Sequence, residues 1–185
     1  MATMFSSEDM QFNIDLSNMG QSLRNWRMIE SAFDKGTELG QEELAQKVVE
    51  KMIYFLGMYG LGGSKLASSI SVSKMEKGLS ITVGHEYAMY IEYGTGMVGA
   101  ESPHPKPNTW VYDVNKHGIK GWFYPTTEED PNPFKHYYQG QLYAWTQGQE
   151  SKPFMYKAWR WGSSSANAII SKNIRREVKK VRGAS

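Results

Sequence analysis

Three of the four histidines lie in one proline-rich segment that also contains carboxylates, and side chains of these types could ligate a metal ion. The residues are His104, His117 and His136, with Glu101 and Asp113 nearby. Zinc sites usually contain pairs of ligands only a few residues apart. These histidines are 13 and 19 residues apart, in segments that the prolines mark as loops. The spacing favours solvent-exposed histidines, so we predict no metal site and no cofactor.

Two further segments could bind phosphate or support hydrolysis. The stretch 60–65 (GLGGSK) is similar in composition to a phosphate-binding loop, but a helix is predicted before it and its lysine is out of register. A helix end followed by a loop explains these glycines better. His85, Glu86 and Glu92 lie near one another, yet no Gly-x-Ser-x-Gly elbow supplies a nucleophile. We therefore predict that the protein is not an enzyme.

The chain ends in a basic segment. Between residues 172 and 182, six basic residues accompany a single acid, Glu177. Four of these cations are candidates to contact DNA or another acidic partner: Arg175, Arg176, Lys179 and Lys180. Cations are also favoured at the C-terminus of a helix without any partner, so that alternative stays open. A nucleic-acid-binding module that uses this helix and the aromatic residues is the main alternative function, although rings and cations are separated along the chain.

The composition is that of a globular protein with one domain. The chain has 185 residues, of which 40% are hydrophobic and 22% are charged, and its formal net charge is +2. It contains no cysteine, which excludes disulfides and thiolate chemistry and is consistent with a reducing cytoplasm. No apolar run approaches the ~20 residues that cross a membrane. The polar, acidic N-terminus also lacks the layout of a secretory signal, so we expect no membrane contact.

Helices are predicted in the first third of the chain. Apolar residues at helical spacing indicate a first helix with Ser17 as its N-cap and Gly36 as its stop. A second, amphipathic helix carries an apolar stripe over 44–59 and ends at the glycine cluster of 57–63. These two helices are expected to cover one side of the core.

A short helix, a β-hairpin and another short helix are predicted next. Ser64 is a candidate N-cap for the first of them. Alternating apolar and polar residues at 70–74 and 79–83 indicate two strands, and Gly78 lies where a three-residue loop requires a positive φ. The segment 87–93 then reads as the second short helix, ended by glycine.

Residues 101–150 differ in amino-acid composition from the rest of the chain. They contain six of the seven prolines, and short strands are predicted at 110–114, 122–124 and 141–146. So many rings on so little regular backbone suggest a surface that packs against a partner. The candidates for that interface are Trp110, Trp122, Tyr124 and Trp145. A closing helix is predicted over 153–181.

Two motifs resemble a known family. The first is YAMYIEYGTG at 87–96, and the second is SKPFMYKA at 151–158. Their order and spacing resemble those of the head–tail joining, or tail-completion, proteins of long-tailed bacteriophages, over roughly 40–100 and 151–180. The chain departs from the family at Tyr93, where phenylalanine is commoner, and at Lys157, where proline is commoner. The residues that carry the resemblance are Tyr87, Ala88, Glu92, Gly94, Thr95, Gly96, Pro153, Phe154 and Ala158.

The resemblance implies a fold, a function and partners. The expected fold is α+β: a small, mainly antiparallel sheet packed by long N- and C-terminal helices. The single domain 1–185 would have its core in 1–100 and 151–185, with 101–150 as a loop-rich insertion. The implied function is structural: a ring, expected to be a hexamer, in the neck of the virion, assembled in the cytoplasm of the bacterial host. Its implied partners are a portal-side connector or adaptor, a tail terminator or tail tube, and the DNA that passes through the channel.

Physical chemistry gives the two motifs a structural role. We expect Glu92 to hold a polar contact, and Gly94 or Gly96 to adopt a positive φ where the chain leaves the short helix. Pro153 fits a first helical turn, because the donor that it lacks has no partner there. Phe154 is expected to pack that helix on the sheet.

Overall fold

The chain folds into five helices and six short strands over residues 19–107, 109–118 and 120–183, the parts that the computed structural model describes. This is the predicted α+β class, with 54% helix and 18% strand. Two antiparallel sheets are present in these ranges, in the orders β1-β2 and β3-β5-β4. The elements are α1 (Met19–Met58), α2 (Lys65–Ser68), β1 (Ile70–Met75), β2 (Gly78–Val83), α3 (Ala88–Tyr93), α4 (Gly96–Glu101), β3 (Trp122–Pro125), β4 (Lys135–Tyr138), β5 (Gln141–Thr146), β6 (Gly148–Gln149) and α5 (Phe154–Gly183), with a 3-10 turn at Val114–Lys116.

Helices α1 and α5 pack antiparallel against each other and make the most extensive contact between two elements of the described residues. The predicted stop at Gly36 is wrong, because α1 is a single helix of 40 residues that continues through Gly36 to Met58. A Cβ atom on Gly36 would lie 2.5 Å from the Cα of Ile174, and one on Gly40 would lie 2.8 Å from the Cα of Ile170. The two glycines therefore let the helix backbones approach closely, which outweighs their low helix propensity. The predicted N-cap Ser17 lies outside the described residues.

Two buried polar side chains of α5 are paired across this helix interface. The side-chain amide of Asn173 donates to Glu43 at 2.8 Å. The carboxylate of Glu177 accepts from Lys180 at 2.6 Å and lies 3.8 Å from the Nζ of Lys35. The hydrogen bond from Lys180 is the main cause that lowers the pKa of Glu177 below its ordinary value of 4.5. Glu177, the single acid of the basic segment, is therefore a buried counter-ion for the lysines around it.

The core lies where α1, the first hairpin and the start of α5 meet. Leu56, Phe154 and Ala158 are fully buried there, with Met52 and Ala88 around them. The α1 helix ends within the glycine cluster, as predicted, and the Ser64 side chain caps α2 by accepting from the amide of Ala67. The predicted hairpin is also confirmed, with Ile70 opposite Val83, and so is the positive φ of Gly78, which is 107°. The predicted three-residue loop is wrong, because Gly78 pairs with Met75 and only residues 76 and 77 form the loop. Phe154 thus packs the second motif onto the core.

The second sheet, β3-β5-β4, is built entirely from the insertion. The strands predicted at 122–124 and 141–146 are confirmed, whereas the strand predicted at 110–114 is wrong: 110–113 is irregular and the 3-10 helix begins at Val114. Strand β4 was not predicted, because no apolar alternation marks it. The side chain of Asp130 organises the loop that leads to β4 by accepting from the hydroxyls of Thr126 and Tyr124 and from the amide of Asn132. Of these, the Thr126 hydroxyl contributes most to the lowered pKa of Asp130.

Candidate functional site

The two motifs meet at the carboxylate of Glu92. Helix α3 places this side chain beneath the first turn of α5, where it is 3% exposed. Its Oε2 accepts from the amide of Met155 and its Oε1 from the amide of Tyr156, both at 2.8 Å. The first amides of a helix have no partner within the helix, and a negative charge is favoured there. Glu92 therefore holds the predicted polar contact, and its partner is the backbone at the start of α5.

A buried histidine completes this arrangement. The Nε2 of His104 lies 3.1 Å from Oε1 of Glu92, and the imidazole is packed between the rings of Tyr93 and Tyr156. Its Nδ1 lies 3.0 Å from the amide nitrogen of Lys106 and 2.8 Å from the carbonyl oxygen of the same residue. A partner is thus present whether Nδ1 accepts or donates. The prediction of a solvated histidine is wrong for His104, which is 4% exposed.

The glycine turn between α3 and α4 holds the two ends of the insertion together. Gly94 and Gly96 have φ values of 79° and 63°, so the predicted positive φ is confirmed at both. Bridges join Thr95 to Gln149 and Gly96 to Gly148. A Cβ atom on Gly94 would lie 2.7 Å from the amide nitrogen of Ser151, and one on Gly96 would overlap the backbone of residue 147. Only glycine fits these positions, for reasons of both φ and space.

The remaining motif residues surround the same junction. Ala88 and Ala158 are buried in the core, whereas Tyr87 is largely exposed. The hydroxyl of Thr95 accepts from the amide of Gln149 at 3.3 Å. Pro153 directly precedes α5, which begins at Phe154, so the predicted position of Pro153 within the first turn is wrong by one residue. These residues pack where α3, the glycine turn and the start of α5 contact one another.

This junction has the chemistry of a positioning site. All three donors around Glu92 come from the chain itself, and both carboxylate oxygens are occupied. Within the described ranges, no three His, Asp or Glu side chains are grouped so as to hold a metal ion. His117 and His136 are exposed and do not join His104. In the same ranges no helix has the length and apolar character to cross a membrane.

The four rings proposed as an interface lie in different environments. The indole of Trp110 donates to the carbonyl of Gly94 at 2.9 Å and stacks on Tyr93. Trp122 is half-buried, and the hydroxyl of Tyr124 donates to the Asp130 carboxylate. Trp145 is half-buried against Phe123. The most exposed rings of the insertion are others: Phe123, Phe134, Tyr137 and Tyr138.

The four candidate cations of α5 divide into two pairs. Arg176 and Lys180 lie beside the buried Glu177, at 3.4 and 2.6 Å. Arg175 and Lys179 are exposed and form no ion pair with the described part of the chain.

A groove that the sequence did not predict lies next to the junction. It has a volume of about 820 Å³ and runs between α1, α5, the first hairpin and α3. Its walls are mainly apolar, and Lys77 and Lys106 belong to its lining. Met89 and Trp159 are exposed apolar side chains in this lining, and they were the signals of a groove in the sequence. The groove was not predicted, because only the apolar faces that pack on the core were assigned for the two helices that carry them. Comparison of the chain with protein-family models, curated proteins and solved structures gives no match.

Proposed function

We propose that this chain is a structural subunit of the neck of a long-tailed bacteriophage, where copies form a ring that joins the head connector to the tail. The observation that carries the proposal is the contact of Glu92 with the first amides of α5. The two sequence motifs that resemble the head–tail joining family are 63 residues apart at this contact, and they meet in one buried joint. Two motifs that together hold the start of α5 in place are consistent with a structural role in assembly.

The environment of Glu92 supports a structural role over a catalytic one. A general acid or base must exchange a proton with a substrate, and here the carboxylate is 3% exposed and both of its oxygens already accept from groups of the same chain. The glycine turn likewise serves backbone packing. The proposal therefore assigns no reaction to this junction. Its partners would be a connector or adaptor on the head side and a terminator or tube on the tail side.

Electron microscopy of particles made without this gene tests the proposal. We expect DNA-filled heads and complete but unattached tails, and restoration of joined particles when the wild-type gene is supplied. Joined particles in the absence of the gene would overturn the proposal. Native mass spectrometry of the purified wild-type chain tests the hexamer separately, because the neck role does not depend on that copy number.

A second candidate function, DNA binding, is favoured by the exposed cations of α5. Arg175 and Lys179 are one helical turn apart, without ion-pair partners in the described part of the chain. Replacing both by glutamine should weaken binding to duplex DNA, measured by fluorescence anisotropy. The slope of log K against log salt concentration is negative, and its magnitude should fall by about 2. The matched control replaces Arg176 and Lys180, which both lie beside the Glu177 carboxylate. Equal losses in the two double variants would argue against a specific phosphate-contacting face.

A further inference from the structure

The groove and the insertion have complementary chemistry on the same chain. We infer that the groove binds the β4–β5 tip of a second copy of this protein, so that each subunit both offers a tip and receives one. The tip is defined as Tyr137 and Tyr138 with the neighbouring acids Glu128 and Glu129. This inference rests on the proposed ring and names the surfaces that would build it.

The groove is suited to an aromatic side chain that comes with negative charge. Three methionines line it, Met52, Met89 and Met155, and flexible thioethers adapt to rings of different shapes. Its volume of about 820 Å³ is within the range of pockets that enclose a whole ligand. The one acid in the lining is Glu92, whose oxygens are already occupied. The lysines of the lining are therefore its available charges.

The tip presents the matching features. Tyr137 and Tyr138 are 58% and 60% exposed at the end of β4, beside a turn in which Gln139 and Gly140 have positive φ. The hydroxyl of Tyr137 donates to the carboxylate of Glu128 at 2.8 Å. The Nζ of Lys135 donates to the backbone carbonyl of Glu128 at 2.7 Å, which fixes the loop against the sheet. The tip is thus an ordered pair of rings beside two exposed acids.

The tip does not lie in the groove of its own chain. None of the groove-lining residues comes from the segment 107–150. A contact between two different surfaces of one chain type is heterologous, and repetition of it closes a ring when the rotation between copies permits. The positive rim of the groove and the acids of the tip are complementary in charge, which favours this orientation over groove against groove or tip against tip.

Two double variants of the full-length chain remove one surface each. The groove variant is Met89→Glu with Trp159→Glu, at side chains that are 46% and 56% exposed. The tip variant is Tyr137→Ser with Tyr138→Ser. The matched control for the groove is Tyr54→Glu with Met58→Glu, exposed apolar residues of α1 that are outside the groove lining.

Sedimentation velocity then gives the oligomeric state of each protein and of their mixture. We expect the wild type and the control to form oligomers, and the groove and tip variants alone to remain monomeric. An equimolar mixture of the two variants should form a dimer and nothing larger, because it contains one intact groove and one intact tip. Dimer formation in the mixture also shows that both variants are folded.

Several results would overturn this inference. A mixture that stays monomeric while the wild type oligomerises would place the contact elsewhere. A wild-type chain that stays monomeric while its groove binds a segment of another virion protein would give the groove a different partner. Failure of the groove–tip contact is distinguishable from failure of the proposed function. If either variant still formed rings in the neck, the neck role would stand and the groove–tip contact would be refuted. Normal joining without the gene would refute the role itself.

Discussion

Replacing Glu92 by glutamine should destabilise the protein strongly, although the two side chains have nearly the same shape. The carboxylate accepts from two backbone amides and lies within hydrogen-bond distance of an imidazole nitrogen. Glutamine keeps one acceptor oxygen and places an NH₂ donor where the other oxygen was. In the least costly orientation the oxygen stays with Tyr156 and His104, and the amide of Met155 then faces the new donor.

The expected size of the effect follows from these contacts. A buried amide without an acceptor costs about 1–3 kcal/mol, and the remaining hydrogen bonds weaken when the charge is lost. A total of roughly 3 kcal/mol is therefore expected in the free energy of unfolding, which corresponds to a fall in Tm of roughly 6–12 °C for a chain of this size. Glu92→Gln is therefore not a conservative change at this position, because both carboxylate oxygens accept hydrogen bonds.

Circular dichroism melts and urea titrations measure the effect. Glu101→Gln serves as the control, because Glu101 is exposed at the end of α4 and should change the Tm little. A Glu92→Gln protein that melts with the wild type would refute the reasoning about the start of α5. If it also failed to join heads to tails, a chemical role for this carboxylate would have to be reconsidered.

Three further predictions concern the glycine turn, the acid stability and the insertion. Gly96→Ala should cost more stability in urea than Gly140→Ala, because both have positive φ but only the former would overlap backbone atoms; equal losses would contradict this. The pKa of Glu177 is lowered, so its stabilisation is complete above pH 4.5 and declines below it. The Tm difference between wild type and Glu177→Gln should therefore shrink on acidification, and a constant difference would refute this. Replacing 113–146 by a short linker should leave a cooperative melt. Replacing 101–150 should abolish it, because that deletion also removes the buried His104 and the Trp110 indole, which donates to Gly94 and stacks on Tyr93; similar melts of the two deletion variants would contradict this.

The parts of the fold that local patterns determine were predictable. The first hairpin follows from alternation and Gly78, and the end of α1 follows from clustered glycines. The error at Gly36 has a tertiary cause, because a glycine reads as a stop until a partner backbone is known to require it. Strand β4 depends on β5 and on the loop of Asp130, neither of which leaves a periodic signal in the strand itself.

The candidate site was predictable only in part. The positive φ of Gly94 and Gly96 follows from an abrupt helix end, and a polar contact for Glu92 follows from its place on a short helix with an apolar face. Its partners do not follow, because they lie 12 and 63 residues away along the chain. A lone histidine among prolines carries no sign of burial. His104 is buried because the chain returns between Tyr93 and Tyr156.

The antiparallel packing of α1 and α5 also has a consequence for the synthesis of the chain. Gly36 contacts Ile174 in the folded chain, and the ribosome adds Ile174 138 residues after Gly36. At ordinary elongation rates the face of α1 that receives α5 is without its partner for roughly ten seconds or more. Truncated products that lack α5 never cover it, and they also lack the amides that hold Glu92. Synthesis of α5 is therefore required before this part of the fold can form, and chains without α5 cannot form the contact of Glu92 with its amides.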